Sequence, residues 1–116
     1  MQTKLAHVRI NVKDLERAVH WYTKTLGWKV ETEWPKERPN YVHFEAANGA
    51  VFGLMENEDF PSAGRFNFHA EDVDSLWGKL KNQVRVLEPL FETEYGSRKF
   101  TIQDPDGNEL GFVQED

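Results

Sequence analysis

The side chains with the most chemical potential in this sequence lie at alternate positions of short segments with strand character. Three of them are histidines and three are cations. Alternation places all six on the same face of the predicted strands: His7, His43, His69, Arg9, Arg65 and Lys99. Arginine offers a planar fork that suits carboxylate or phosphate, lysine offers a point charge, and histidine titrates near neutral pH. In a chain with a net charge of −6, this concentration of basic groups predicts a site for an anionic or strongly hydrogen-bonding small ligand. The alternative is an ordinary polar face of a half-exposed sheet.

The predicted ligand-binding set extends these groups with polar and apolar neighbours on the same face. Arg9, Arg65, His7 and His69 are expected to fix the ligand, and Trp34, Met55 and Val113 to wall it. The complete predicted set is His7, Arg9, Asn11, Trp34, Met55, Arg65, Asn67, His69, Lys99 and Val113. Tyr41, His43 and Glu45 fall on the same face by alternation.

Other chemistries find less support in the residues. The chain has no cysteine, which excludes disulfides, thiolate nucleophiles and thiolate metal sites. Asp104 and Asp106 resemble a catalytic carboxylate pair, but the run Asp-Pro-Asp-Gly is explained by turn chemistry. No serine lies in a nucleophile elbow, and no glycine-rich phosphate loop is present. Metal-free acid–base catalysis by His7 or His69 stays open.

Composition bounds the partners. A chain of 116 residues is expected to form one domain, and its acidic balance argues against nucleic-acid and membrane partners. The N-terminal residues do not resemble a signal peptide, and no apolar run is long enough to span a membrane, so a cytoplasmic protein is expected.

An internal repeat organises the elements that must position these side chains. Asp14 and Asp72, Gly49 and Gly107, and Gly53 and Gly111 are all separated by 58 residues, half the chain length. Each half reads as a strand, an Asp-capped helix and three more strands. The strand near 85–91 contains Pro89, which predicts an edge strand or a bend. We therefore predict an α+β fold with two βαβββ modules, about 1–58 and 59–116, in a pseudo-twofold repeat. They would form a curved, cup-shaped mixed sheet with the helices on its convex face.

Several motifs together resemble the vicinal oxygen chelate superfamily, which contains glyoxalases, extradiol dioxygenases and fosfomycin- and bleomycin-resistance proteins. They are the segment 5–12 (LAHVRINV), the segment 14–18 (DLERA), Trp21-Tyr22, Leu26-Gly27, and the segment 104–108 (DPDGN). The resemblance covers nearly the whole chain. It implies paired βαβββ modules and, frequently, a homodimer.

The resemblance also implies where metal ligands would lie, on the first and fourth strand of each module. Those positions hold His7, Gly53, Arg65 and Gly111 in this sequence. Only His7 can ligate a metal, and Arg65 places a fixed positive charge where a cation would bind. We therefore expect no metal and no other cofactor, unless histidines such as His43 and His69 form a relocated site.

The resulting hypothesis is a glyoxalase- or bleomycin-resistance-like protein that binds a small anionic or aromatic molecule in a concave pocket, without a metal and without catalytic residues. The alternative is a glyoxalase- or dioxygenase-family enzyme with atypical or relocated metal ligands. Its reaction class would then be that of a glyoxalase-like lyase, or else that of an isomerase or oxidoreductase. A third possibility is an interaction protein whose polar face binds no ligand.

Overall fold

The computed structural model describes residues 2–60 and 62–115. Its two helices are α1 (Leu15–Lys24) and α2 (Val73–Leu80). Its strands are β1 (His7–Val12), β2 (Val30–Trp34), β3 (Tyr41–Phe44), β4 (Val51–Glu56), β5 (Arg65–His69), β6 (Arg85–Glu92), β7 (Ser97–Gln103) and β8 (Glu109–Glu115). The chain divides into two compact units, residues 1–62 and 63–116, which we call module one and module two. No helix within the described residues is long and apolar enough to cross a membrane.

Module one is a four-stranded mixed sheet with the strand order β1-β4-β3-β2. β1 runs parallel to β4, and the other neighbours are antiparallel. Asp14 caps the start of helix α1, and its carboxylate accepts a hydrogen bond from the Arg17 amide at 3.1 Å. The helix packs fully buried Tyr22 against Phe44 and Phe52 of the sheet, so the apolar face of β3 and β4 becomes the core.

Module two repeats this arrangement with the strand order β5-β8-β7-β6. Asp72 caps helix α2 and accepts from the Ser75 amide at 3.1 Å, just as Asp14 caps α1 through the Arg17 amide. Its Trp77 packs against Phe100, and Phe100 stacks on Phe112 of β8.

The 58-residue repeat extends to the register of the strands. Arg9 pairs with Gly53 in module one, and Asn67 pairs with Gly111 in module two. The prediction of two βαβββ modules in an α+β fold is therefore confirmed. Strand pairing groups the eight strands into two four-stranded sheets, one per module, where the sequence analysis drew a single sheet through both.

A tight turn joins the two inner strands of module two, and a register shift interrupts its outer strand β6. The segment 104–108 forms the predicted tight turn: the Gly107 amide donates to the Asp104 carbonyl at 3.1 Å, and Gly107 has φ 91. β6 is an outer strand, and its register shifts between Glu88 and Phe91, on either side of Pro89. Pro89 has no amide hydrogen to donate, which explains both the edge position and the irregularity.

Candidate functional site

The polar face of module one brings four side chains into a single recess of about 620 Å³. The recess is lined by His7, Arg9, Tyr41 and His43, from β1 and β3. These two strands lie on either side of β4, whose Gly53 faces them without a side chain. The tyrosine therefore lies across the glycine: an added Cβ at Gly53 would meet the Tyr41 oxygen at 2.8 Å and its ring carbons at 3.0 and 3.1 Å.

A continuous chain of hydrogen bonds crosses this recess. The Tyr41 hydroxyl lies 3.0 Å from His7 Nε2 and 2.9 Å from His43 Nδ1. The other ring nitrogen of His43, Nε2, lies 3.0 Å from the Glu31 carboxylate on β2. A β-bulge in β2 between Val30 and Thr32 accompanies this contact; bulges commonly re-aim a side chain in this way.

Burial and charge act on the tyrosine in opposite directions. Desolvation raises the pKa of Tyr41 above its usual value, and the positive charge of Arg9 works against that increase. Tyr41 is therefore a neutral hydrogen-bonding group at physiological pH. Arg9 itself is exposed and forms no ion pair with any other residue in the described ranges.

The corresponding face of module two is built differently. Arg65 occupies the repeat position of His7, and its guanidinium lies 2.6 Å from Glu88, 3.4 Å from Glu109 and 3.2 Å from the Thr101 hydroxyl. The hydrogen bond from Thr101, followed by the one from Arg65, lowers the pKa of Glu88. Because two carboxylates already surround it, Arg65 offers little net positive charge to an anion.

A second recess, of about 790 Å³, lies on module two. Of the predicted ligand-binding residues it brings together Asn67, His69, Lys99 and Val113. It is also lined by Tyr95, which is 85% exposed, and by Glu115. Its lining is therefore polar and aromatic, and it includes both a cation, Lys99, and an acidic group, Glu115.

The remaining predicted residues have other surroundings. Asn11 is engaged by the segment after β4: its side-chain amide donates to the Phe60 carbonyl at 2.6 Å, and its backbone amide donates to Ser62 Oγ at 2.7 Å. Trp34 ends β2 and is 64% exposed, and Met55 pairs with Tyr41 and Asn11. None of these three lines the recess of module one.

The four positions at which the resemblance drawn from the sequence implies metal ligands do not fit a metal here. In module one, His7 uses its Nε2 on Tyr41, and the space above Gly53 is filled by the same tyrosine. In module two, Arg65 is an ion-paired cation, and the amide of Asn67 fills the space above Gly111. Within residues 2–60 and 62–115, no three histidine, aspartate or glutamate side chains are grouped as metal ligands.

Comparison with known protein families identifies the family of this chain. The model of the Glyoxalase/Bleomycin resistance protein/Dioxygenase superfamily matches residues 4–112. The chain belongs to this superfamily. This agrees with the resemblance drawn from the sequence motifs and with the repeated βαβββ modules.

Relatives within the superfamily include proteins with a named activity. The chain is 31% identical over 118 residues to a protein of Bacillus subtilis (strain 168) named "Probable trivalent organoarsenical cleaving enzyme". The alignment covers 94% of this chain and 78% of the relative. The chain is 27% identical to the "Trivalent organoarsenical cleaving enzyme" of Bacillus sp. (strain MD1), covering 94% and 71%.

Among solved structures, TioX from Micromonospora sp. ML1 superposes with a TM-score of 0.85 at 15% identity, over 97% of this chain and 99% of TioX. This similarity shows a shared fold.

Three residues of the site were missed or undervalued in the sequence. Tyr41 and His43 had the correct parity but were left out of the predicted ligand-binding set, and Glu31 was not considered. The spacing of Tyr41 and His43 by two residues in a short strand was the available signal. Nothing comparable marks Glu31, because its position depends on the bulge in β2.

Proposed function

We propose that this chain binds a small anionic molecule in the recess of module one, and that it does so without a metal. The observation that carries the proposal is the contrast between the two arginines. Arg9 borders the recess beside three hydrogen-bonding side chains and has no carboxylate partner among the described residues, whereas Arg65 has two.

The residues of the recess divide the work of binding. Arg9 can give an anion a charge-assisted, two-pronged hydrogen bond. His7, beside it on β1, adds a directional hydrogen bond, while Tyr41 and His43 hold His7 in place and contribute aromatic surface. Because Arg9 is exposed, we expect modest affinity that decreases as salt concentration rises.

A matched pair of arginine variants tests this proposal. We would titrate wild-type protein, Arg9→Gln and Arg65→Gln with phenylacetate and phenyl phosphate, and follow the histidine and backbone signals by NMR. Loss of the exposed charge in Arg9→Gln should weaken binding by about tenfold, equivalent to ~1.4 kcal/mol. Arg65→Gln should leave affinity nearly unchanged. Equal affinities for wild-type protein and Arg9→Gln, or a loss confined to Arg65→Gln, would refute the assignment.

Catalysis is the second candidate, and the relatives named as organoarsenical-cleaving enzymes favour it. Trivalent arsenic is a soft centre that prefers thiolate, and this chain contains no cysteine. Any such activity would therefore need a different mode of substrate binding. The test is to incubate the protein with a trivalent organoarsenical, with nickel, zinc, manganese and iron added in turn, and to measure released inorganic arsenic. Repeated turnover would overturn the binding proposal in favour of catalysis. Release of inorganic arsenic no greater than in the protein-free control would support the binding proposal.

The superfamily resemblance also leads us to propose a homodimer. Light scattering on the purified protein should give a mass of about twice 13.5 kDa; a monomer at micromolar concentration would contradict this.

A further inference from the structure

The hydrogen-bond chain in module one has a direction, and Glu31 sets it. The ionised carboxylate of Glu31 can only accept a hydrogen bond. His43 Nε2, 3.0 Å away, must therefore carry a hydrogen. In the neutral form of His43 this is the only ring hydrogen, so Nδ1 of that form is bare.

The direction passes through the tyrosine to the first histidine. Because His43 Nδ1 is bare, the Tyr41 hydroxyl donates its single hydrogen to it across 2.9 Å. The tyrosine oxygen is then left as an acceptor, and His7 Nε2 must donate to it across 3.0 Å. His7 is consequently protonated on Nε2 and bare on Nδ1.

The bare nitrogen is the open end of the chain. His7 is exposed in the recess, and its Nδ1 makes no hydrogen bond to any residue in the described parts of the chain. Arg9 lies two residues further along β1 on the same face, ~7 Å away between Cα atoms. The recess thus presents a cationic donor and, beside it, a neutral acceptor.

We propose that Glu31, through His43 and Tyr41, holds His7 Nδ1 as a hydrogen-bond acceptor, so that the site selects small anions that also carry an O–H or N–H group. A hydroxy acid or an amino-substituted acid has this combination, and a simple carboxylate lacks the second half. The inference rests on the proposed function and narrows its ligand class. In it Glu31, His43 and Tyr41 are positioning residues, and Arg9 and His7 touch the ligand.

One added proton on His43 reverses two of the three hydrogen bonds in the chain and leaves the bond from His43 to Glu31 unchanged. If His43 is protonated, its Nδ1 donates to Tyr41, the tyrosine hydroxyl donates to His7 Nε2, and His7 Nδ1 gains the hydrogen. The charged and titratable groups on this face are His7 and Arg9 of β1, Glu31 of β2, Tyr41 and His43 of β3, and, by alternation, Glu45 directly after β3. The β4 residues on this face, which are 51, 53 and 55, have no titratable side chain. A protonated His43 would therefore remove the acceptor at His7 Nδ1, and with it the preference for ligands that carry a donor.

A matched ligand pair tests the selectivity. Mandelate has a carboxylate and a hydroxyl, and 2-methoxy-2-phenylacetate has the same carboxylate with the hydroxyl methylated. Wild-type protein should bind mandelate about threefold to tenfold more tightly, which is the value of one net hydrogen bond. In Glu31→Gln and in Tyr41→Phe this ratio should approach one, because the His7 tautomer is no longer imposed. Glu33→Gln makes the same change two residues along β2 and should retain the wild-type ratio.

A second measurement does not depend on ligand affinity. The ¹⁵N shifts of the imidazole nitrogens of uncomplexed protein should show a bare Nδ1 for both His7 and His43 at neutral pH. A hydrogen on His7 Nδ1 in wild-type protein would overturn the inference, and so would an unchanged ligand ratio in both Glu31→Gln and Tyr41→Phe. If both probes bind in an Arg9-dependent manner with equal affinity, the inference fails while the proposed function stands. If neither probe binds wild-type protein, the proposed function fails.

Discussion

Substitution of Gly53 by alanine should disrupt the hydrogen-bond chain without replacing any of its members. The new Cβ would lie 2.8 Å from the Tyr41 oxygen and 3.0 and 3.1 Å from two of its ring carbons. Because the hydroxyl oxygen and two ring carbons are all too close, a small rotation of the hydroxyl cannot relieve the overlap. The whole Tyr41 ring must move away from β4 and hence from His7 and His43.

The size of the effect follows from the packing and the hydrogen bonds. Forcing one methyl group into a packed site typically costs ~1–3 kcal/mol. Tyr41 is only half-buried and can turn toward water, so we expect the lower end of that range. Two hydrogen bonds at 3.0 and 2.9 Å are lost as well, although water replaces part of each. The expected loss of unfolding free energy is ~1–2 kcal/mol, or a decrease in Tm of about 4–8 °C for a chain of this size.

Two measurements with an internal control check this prediction. Thermal unfolding followed by circular dichroism gives the stability, and the imidazole ¹⁵N shifts of His7 and His43 report the chain. Gly78→Ala is the control: an added Cβ there meets no atom within 4 Å, so alanine in this helix should stabilise the protein by ~0.5–1 kcal/mol. If Gly53→Ala keeps both the wild-type Tm and the wild-type histidine shifts, the placement of Tyr41 over Gly53 is wrong.

Three further predictions concern individual groups. In Thr101→Val, the pKa of Glu88 should rise toward its ordinary value, since the Thr101 hydrogen bond is the main cause of its depression; carboxyl ¹³C NMR of Glu88 would show it. Because that pKa is lowered on folding, the wild-type stability from Glu88 is present above its unfolded pKa and is lost as pH falls through the lower folded value. In Arg9→Gln, the pKa of Tyr41 should rise further, and ultraviolet titration of tyrosinate would measure the change; a lower pKa would contradict the assigned role of the arginine. The stability linked to Tyr41 is present below its unfolded pKa and lost as pH rises through the folded one. Asp104→Ala should cost ~2–4 kcal/mol in urea unfolding, because the buried carboxylate accepts from two backbone amides at 2.9 and 2.8 Å, and a loss under ~1 kcal/mol would show that the turn does not depend on it.

Much of the module architecture could be predicted because it rests on local and periodic signals. Asp14 and Asp72 mark both helix starts, and the alternation of Phe100, Ile102, Leu110 and Phe112 marks the buried face of β7 and β8. The separation of 58 residues between Asp14 and Asp72 indicated that the two halves are copies of one module. The prediction of a tight turn at Asp104–Gly107 succeeded for the same reason, since proline and glycine constrain the backbone wherever they occur.

The candidate site could be predicted only in part. Alternation correctly placed His7 and Arg9 on the polar face, where both line the recess. It predicted that Arg65 and Arg9 would both bind the ligand, because alternation does not reveal which acidic side chains of neighbouring strands lie beside each arginine. The pairing of Arg65 with Glu88 depends on the register of β6 against β7, which is irregular at Pro89.

By itself, then, the sequence determined the apolar positions that form most of the core, where the helices begin, and that the chain is a repeat of one module. These properties depend on neighbours within a few positions and on the number of residues between copies. Only the tertiary structure decided that Tyr41 lies over Gly53, that Glu31 reaches His43, and that Arg9 is unpaired among the described residues while Arg65 is not. Each of those outcomes depends on which atoms of separate strands come within about 3 Å of each other, the range of a hydrogen bond, and strand register and a bulge set that distance.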